Sequence, residues 1–318
     1  MTSQKKTISC HCKSGEFMEK AAVFDFKNYL AAHTVRPLTH GKSGAEVCLL
    51  DDHKIAKFSE KSKLLEKENG AAVWEACLKE AEFYKDIMDL HHAFLPEIFH
   101  CHFDDDNVQI IMGEYFPLAK ENLTCSDFDK IMELLTQVHE LPFPDFLKNE
   151  KQEPLEISDE EIQSCLDGWK SVFEEHDSET SGSLDFSKLQ ELASHINQLN
   201  KDMYSSRICL CHGDFHAENI LQHEKNSRLI LCDWQSVSLK HPASDIAFFM
   251  SRLSGDGIVF DENKIIESYC RYSKSGITKD EIKNQIKLSN INTTFRYWHY
   301  YLHGSSRDVV ENIIKKII

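Results

Sequence analysis

The sequence predicts an α+β protein in two lobes: a small one built on antiparallel strands with one helix, then a larger, mainly helical one. Three observations predict it. Residues 34–115 read as short strands separated by turns, with a single helical stretch among them. From residue 126 onward most of the chain carries helical periodicity. Between those helices, the strand–loop–strand segment 207–235 concentrates His, Asp and Asn in a tight pattern. The boundary falls after residue 116, giving lobes of 1–116 and 117–318, each long enough to bury a core of its own.

In order, 34–39 reads as a first strand, His40-Gly41-Lys42-Ser43-Gly44 as a Gly-containing turn, and 45–50 as a second strand. Asp51-Asp52-His53 is a tight turn. Lys54-Ile55-Ala56-Lys57-Phe58 alternates its faces as a third strand does, with Lys54 at its solvated start. A helix is expected over 71–90, with Val73, Cys77, Ala81, Tyr84 and Met88 along one face. Strands at 97–103 and 108–115 are joined by the turn Asp104-Asp105-Asp106-Asn107. The helix expected over 126–141 opens on a Ser126 or Asp127 cap, lines up Ile131, Leu134, Leu135 and Val138, and is stopped by Pro142 and Pro144. Further helices are expected over 158–176, 184–204, 245–253, 262–273, 279–302 and 308–317. Asp159, Glu160 and Glu161 after Ser158 suit a helix N-terminus, where acids complement the dipole.

The chemistry lies in His212-Gly213-Asp214-Phe215-His216-Ala217-Glu218-Asn219 and, further on, Cys232-Asp233-Trp234-Gln235. Phosphoryl transfer needs one carboxylate facing the hydroxyl to be phosphorylated, and an amide and a second carboxylate holding Mg²⁺ on the nucleotide phosphates. Strands at 220–222 and 229–232 form a hairpin that brings Asn219 and Asp233 together, where two oxygen ligands share a hard cation. Asp214, on the loop before it, points at the acceptor hydroxyl. The same chemistry calls for a third-strand Lys on the nucleotide phosphates, a helix Glu to orient it, and a loop over the phosphates. Lys57 stands at the first position, and Glu80 or Glu82 at the second. Gly41, Ser43 and Gly44 lie in the phosphate-covering turn, and 112–118 would offer backbone groups to the base.

These residues resemble the aminoglycoside phosphotransferase and choline kinase superfamily, relatives of the protein kinases. The resemblance rests on His212-Gly213-Asp214 with His216, on Cys232-Asp233-Trp234-Gln235, and on Pro242 with Ser244-Asp245-Ile246-Ala247-Phe248-Phe249. It runs from about Leu38 to Phe249, and Trp234-Gln235 is similar to the branch that includes ecdysteroid-kinase-like proteins. It implies a bilobal, protein-kinase-like fold and a small-molecule kinase that moves the γ-phosphate of ATP, or GTP, onto a hydroxyl. An aminoglycoside or a choline-like compound is the implied acceptor. The implied site has Asp214 as base, Asn219 and Asp233 as Mg²⁺ ligands, Lys57 on the phosphates and Asp245 as a structural buttress of the catalytic loop. Glu80, in a Glu80-x-x-Phe83-Tyr84 run that resembles the family's helix-C segment, is the implied partner of Lys57, with Glu82 as its rival. Glu218 departs from the small residue common there. A catalytically inactive nucleotide-binding protein and a kinase of protein substrates are the other readings; the short gap from Asp233 to Asp245 leaves little platform for a peptide.

Other signals narrow the field. Gly41-Lys42-Ser43 is not a P-loop: Arg36 stands where its first Gly belongs, and a strand rather than a helix follows. The calcium-loop look of 177–188 fails at Lys188, where a bidentate Glu is needed. Cys10-His11-Cys12 has no further metal ligands nearby. A net charge of −16 argues against nucleic acid as a partner. No apolar run approaches the ~20 residues of a membrane span, so no membrane is expected. The polar N-terminus and eleven scattered cysteines without a Cys-x-x-Cys pair point to a reduced, cytoplasmic setting. Nothing in the sequence sets the oligomeric state. Residues 145–191 hold fourteen acids against four lysines, an acidic wall for an amine-bearing acceptor or a set of solvated helix faces. The aromatic run Phe295–Tyr301 on the 279–302 helix is either core or a cage for an ammonium group.

Overall fold

The computed structural model describes residues 24–38, 45–67, 69–87, 90, 92–148, 156–175, 186–204, 207–224, 226–315 and 317. The chain opens with helix α1 (Phe26–Ala31), capped by Asp25, whose carboxylate accepts the Asn28 main-chain N–H at 3.0 Å. Strands β1 (Val35–Pro37), β2 (Glu46–Leu50) and β3 (Lys54–Glu60) lead to helices α2 (Lys61–Leu65) and α3 (Gly70–Ile87). Strands β4 (Ile98–Phe103), β5 (Asn107–Gly113) and β6 (Phe116–Pro117) follow. Helices α4 (Cys125–His139), α5 (Asp159–Glu174) and α6 (Phe186–Tyr204) precede strands β7 (Cys209–Cys211), β8 (Ile220–Gln222), β9 (Leu229–Leu231) and β10 (Ser238–Lys240). Helices α7 (Ala243–Gly255), α8 (Glu262–Tyr272), α9 (Lys279–Tyr297) and α10 (Arg307–Ile314) complete the described elements.

The chain divides into two compact units. One comprises the described residues up to Leu123, the segment 143–149 and His212–Ser238; the other comprises the remainder. The loop and hairpin that carry Asp214, Asn219 and Asp233 therefore group with the strands that carry Lys57.

The first unit holds a five-stranded antiparallel sheet in the order β1-β2-β3-β5-β4. Lys57, mid-strand on β3, stands opposite Val47 of β2 and Ile110 of β5, so its backbone is fixed from both sides. The β2–β3 turn places His53 in the left-handed region at φ 61°. At the β4–β5 turn Asp104 Oδ1 accepts the Asp106 and Asn107 N–H groups at 2.9 and 2.8 Å, the usual way Asp seeds a turn. Helix α3 buries Trp74, Cys77, Ala81, Tyr84 and Ile87, a stripe of helical period that also carries Glu80 inward. Val73, expected on that face, is only half-buried, because Trp74 takes the inward direction at the first turn; Met88 lies outside the described residues. Two short helices, α1 and α2, were not signalled by periodicity, being too brief to show one. The strand expected to run to Tyr115 stops at Gly113, and Phe116–Pro117 joins a separate three-stranded sheet in the order β6-β8-β9.

In the second unit, α4 starts one residue before the expected helix and is capped by Thr124, not by Ser126 or Asp127. Thr124 Oγ1 accepts the Asp127 N–H, and Asp127 Oδ2 accepts the Thr124 N–H at 2.9 Å, a reciprocal capping box. Ser158 caps α5 through the Glu161 N–H at 3.1 Å. Cys165, Trp169, Val172 and Phe173 of α5 pack with Leu189 and Ile196 of α6, Ile291 and Phe295 of α9, and Val310 and Ile314 of α10. Trp169 Nε1 donates to the Phe295 carbonyl at 2.9 Å. The helix expected over 279–302 ends at Tyr297, and Trp298–Tyr300 tighten into a 3-10 turn. The aromatic run divides accordingly: Phe295 and His299 are buried, whereas Tyr297, Tyr300 and Tyr301 are exposed. Cys209 and Cys211 lie buried with their sulfurs 3.7 Å apart and donate to the Lys240 and His241 carbonyls, a packing arrangement. Asp245, buried on α7, meets His139 Nε2 of α4 at 3.2 Å, and His139 Nδ1 meets the Tyr269 hydroxyl at 2.7 Å. Residues 177–185 of the calcium-loop-like segment and the Cys-His-Cys triplet lie outside the described residues; Lys188, the last position of that segment, is in the first turn of α6.

Candidate active site

Lys57 projects from β3 into a buried position where its Nζ lies 2.7 Å from Glu80 Oε2 and 2.9 Å from Asp233 Oδ1. Glu80, and not Glu82, is thus the α3 carboxylate that reaches the strand lysine; Glu82 is half-buried and elsewhere on the helix. Lys54, at the head of the strand, is tied to Asp52 at 2.6 Å and to the Tyr29 hydroxyl rather than freely solvated. Burial works against the Lys57 charge, but the Glu80 and Asp233 carboxylates outweigh it and hold the ammonium above its ordinary range. Burial pushes the Glu80 carboxyl up, against the pull of Lys57.

Asp233 reaches this cluster through local structure. Ile220 pairs with Leu231 across the β8–β9 hairpin, and the Cys232 N–H donates to the Asn219 carbonyl at 3.0 Å. Asp233 follows at once, in the left-handed region at φ 66°, a conformation that costs a non-glycine residue energy and turns the carboxylate off the strand line. Trp234 then stacks on Phe83 of α3 with ring centroids 3.9 Å apart and planes 19° from parallel. Both rings are buried, so the helix carrying Glu80 and the turn carrying Asp233 are packed on each other directly.

The loop before the hairpin is held just as closely. Gly213 sits at φ +83°, and a β-carbon there would meet the Ser236 carbonyl oxygen at 2.0 Å. Only glycine satisfies both conditions. His212 is fully buried; its Nε2 meets the Cys232 carbonyl at 3.0 Å and its Nδ1 accepts the Asp214 N–H at 3.3 Å. Asn219 Nδ2 donates to the Asp214 carbonyl at 2.9 Å and to Asp214 Oδ2 at 3.1 Å. His216 Nε2 lies 3.5 Å from the same oxygen. The His216 contact, with His212 nearby, holds the Asp214 carboxyl below the usual range despite partial burial. Glu218 is paired with Lys120 at 2.8 Å.

The predicted residues thus fall into two adjoining sets, Lys57–Glu80–Asp233 and Asp214–Asn219, joined through the hairpin backbone. Gly41, Ser43 and Gly44 lie outside the described residues. Phe83 was legible in sequence only as part of the run beside Glu80, and its stacking on Trp234 was not. The donor set suits magnesium. With the Asn219 amide nitrogen turned to Asp214, its oxygen faces away, and Asp233 keeps a second carboxylate oxygen. Neither oxygen has a hydrogen-bond partner among the described residues. A carboxylate and an amide oxygen form a hard, all-oxygen set.

A model of the choline/ethanolamine kinase family matches residues 114–287, more than half of the chain. No curated protein matches by sequence. Among solved structures, an ethanolamine kinase from Plasmodium vivax is 14% identical, with 92% of this chain and 83% of that one covered and a TM-score of 0.55. A choline kinase from Cryptosporidium parvum Iowa II is 11% identical, with 90% and 87% covered and a TM-score of 0.53. The ADP-bound aminoglycoside phosphotransferase APH(2″)-Ib is 14% identical, with 92% and 97% covered and a TM-score of 0.52. At these identities the structures share the fold, a bilobal one of the protein-kinase type.

Proposed function

Because the chain belongs to the choline/ethanolamine kinase family, a family of phosphotransferases acting on hydroxyl groups, we propose that it moves the γ-phosphate of ATP onto a hydroxyl of a small amine-bearing alcohol. The observation that carries this reading is the buried Lys57–Glu80 pair with the half-buried Asp233 against it, and Asp214 and Asn219 on the adjoining loop. Lys57 is charged and aimed, ready for phosphate oxygens. Asp233 and Asn219 would hold Mg²⁺, which supplies charge neutralisation at the phosphates when bound. Asp214, kept as a carboxylate, positions the acceptor hydroxyl and takes its proton as the new O–P bond forms and the bond from the γ-phosphorus to the ADP oxygen breaks.

The amine in the acceptor is supported by charge. The chain carries −16, and the acid-rich stretch 145–191 contributes much of it. Choline, ethanolamine and aminoglycosides, named for the structural neighbours, all combine a hydroxyl with a cationic nitrogen. A small acceptor is favoured over a peptide because only a 3-10 turn (Trp234–Ser236) and β10 separate Asp233 from α7.

The test is incubation of purified protein with Mg-ATP and pooled amino alcohols, aminoglycosides, sugars and nucleosides, read by mass spectrometry. Gain of one phosphate on an amine-bearing alcohol, absent with Asp214→Ala, is the expected result. Phosphorylation of sugars or nucleosides alone would overturn the acceptor class. Replacing ATP by GTP in the same assay settles the donor.

A further inference from the structure

The two oxygens of the Asp214 carboxylate have different surroundings. Oδ2 accepts the Asn219 amide at 3.1 Å and faces His216 Nε2 at 3.5 Å. Oδ1 has no hydrogen-bond partner among the described residues. His216 is itself buried, and its other ring nitrogen, Nδ1, accepts the Glu218 main-chain N–H at 3.3 Å as it caps the turn Ala217–Asn219. A ring nitrogen that accepts a hydrogen bond cannot carry the proton, so the neutral ring carries it on Nε2, the atom turned toward Asp214.

Resting on the reading of Asp214 as general base, we propose that His216 is a positioning residue whose Nε2–H pins Asp214 Oδ2, leaving Oδ1 as the single oxygen that receives the acceptor proton. With Asn219 alone, one hydrogen bond would leave the carboxylate free to swing about its terminal torsion, and the acceptor would meet a base in several orientations. A second donor on the same oxygen selects one, the kind of preorganisation on which phosphoryl transfer depends. The contact is long, and catalytic contacts of this kind tighten when substrate is bound.

The groups around the pair are consistent with that direction of donation. His212 faces Asp214 with Nδ1 already engaged by the Asp214 N–H. On the far side of His216 stands Glu218, whose Oε2 is 3.9 Å from Nδ1. Nδ1 has no proton to offer it, and Lys120 draws the Glu218 carboxylate away through Oε1 at 2.8 Å. The Nε2 side of His216 is therefore turned to Asp214, and Glu218 stands on the Nδ1 side.

The test is NMR on the full chain with labelled histidine and aspartate side chains, in wild type, His216→Leu and His216→Gln, with Asp214→Asn to assign the resonance. The expected wild-type tautomer of His216 is Nε2–H. Removing the donor in His216→Leu is expected to shift the Asp214 carboxyl carbon resonance at fixed neutral pH, as loss of a hydrogen bond to one of its oxygens does. His216→Gln, which keeps an N–H at similar reach, is expected to restore it toward wild type. An Nδ1–H tautomer in the wild-type protein would overturn the proposal whether or not the variants fold. So would an Asp214 carboxyl resonance unmoved in His216→Leu, or a Gln variant no closer to wild type than Leu. These readouts need no acceptor. Full phosphotransfer by Asp214→Asn would instead remove the base assignment, and the two failures are told apart.

Discussion

Gly213 carries the tightest steric demand in the candidate site. Its φ of +83° and the 2.0 Å approach of the Ser236 carbonyl to any β-carbon leave no room for a side chain. Gly213→Ala is expected to destabilise the protein by more than about 1 kcal/mol, since both the left-handed backbone and the clash must be relieved; urea unfolding measures it. Asp214→Ala is expected to lower turnover by roughly 10²–10⁴-fold, the usual weight of a general base, while Mg-ATP affinity is kept. Equal turnover in wild type and variant would take the base role from Asp214. His139 offers a pH test. Burial pulls its pKa down, but the Asp245 carboxylate and the Cys211 sulfur outweigh burial and push it up to about 9. A folded pKa above the unfolded value of about 6.5 means that the stabilisation is complete below pH ~6.5 and is lost as pH rises through 9. Unfolding free energy is expected to fall across that window in wild type and to fall less in His139→Gln. Parallel pH curves for the two would contradict the assignment.

At the level of elements, the site depends on α3 and the β8–β9 hairpin meeting through Phe83 and Trp234. Phe83→Ala is expected to cost about 3–5 kcal/mol, as truncation of a buried aromatic does, and to loosen Asp233 relative to Glu80. The second effect would appear as weaker Mg-ATP binding in molecules that remain folded, measured by calorimetry. Much of this was legible beforehand. The spacing of Asp214, Asn219 and Asp233 could be read because each sits at a fixed offset from a strand end, and strand ends are marked by short apolar runs. Glu80 was favoured over Glu82 through the resemblance alone, since a two-residue difference on a helix is a matter of rotation, and rotation is set by Trp74, Cys77, Ala81 and Tyr84 together. The Thr124 cap was missed because Thr, Ser and Asp at 124, 126 and 127 are all good caps. Only the reciprocal bond with Asp127 distinguishes them. The end of α9 at Tyr297 left no mark either, because no Gly or Pro follows until Gly304.

At the scale of the molecule, the proposal of a cationic alcohol as acceptor for a −16 chain has an electrostatic consequence. Acceptor KM is expected to rise with ionic strength between low salt and ~0.15 M, where the screening length shortens to about 8 Å. A KM that is flat across that range would assign acceptor binding to local contacts alone. No helix among the described residues is long and apolar enough to cross a membrane.

Lys57, Asp233 and Asn219 are proposed to form one magnesium–nucleotide site. Calorimetric titration of ATP, with and without Mg²⁺, into wild type and Asp233→Ala tests it most directly. Magnesium-dependent ATP binding that is lost or weakened at least tenfold in Asp233→Ala is the predicted result, since breaking a hydrogen bond or pair to a charged group costs about 1.5–3 kcal/mol. ATP binding by the variant with wild-type affinity and magnesium dependence would contradict it.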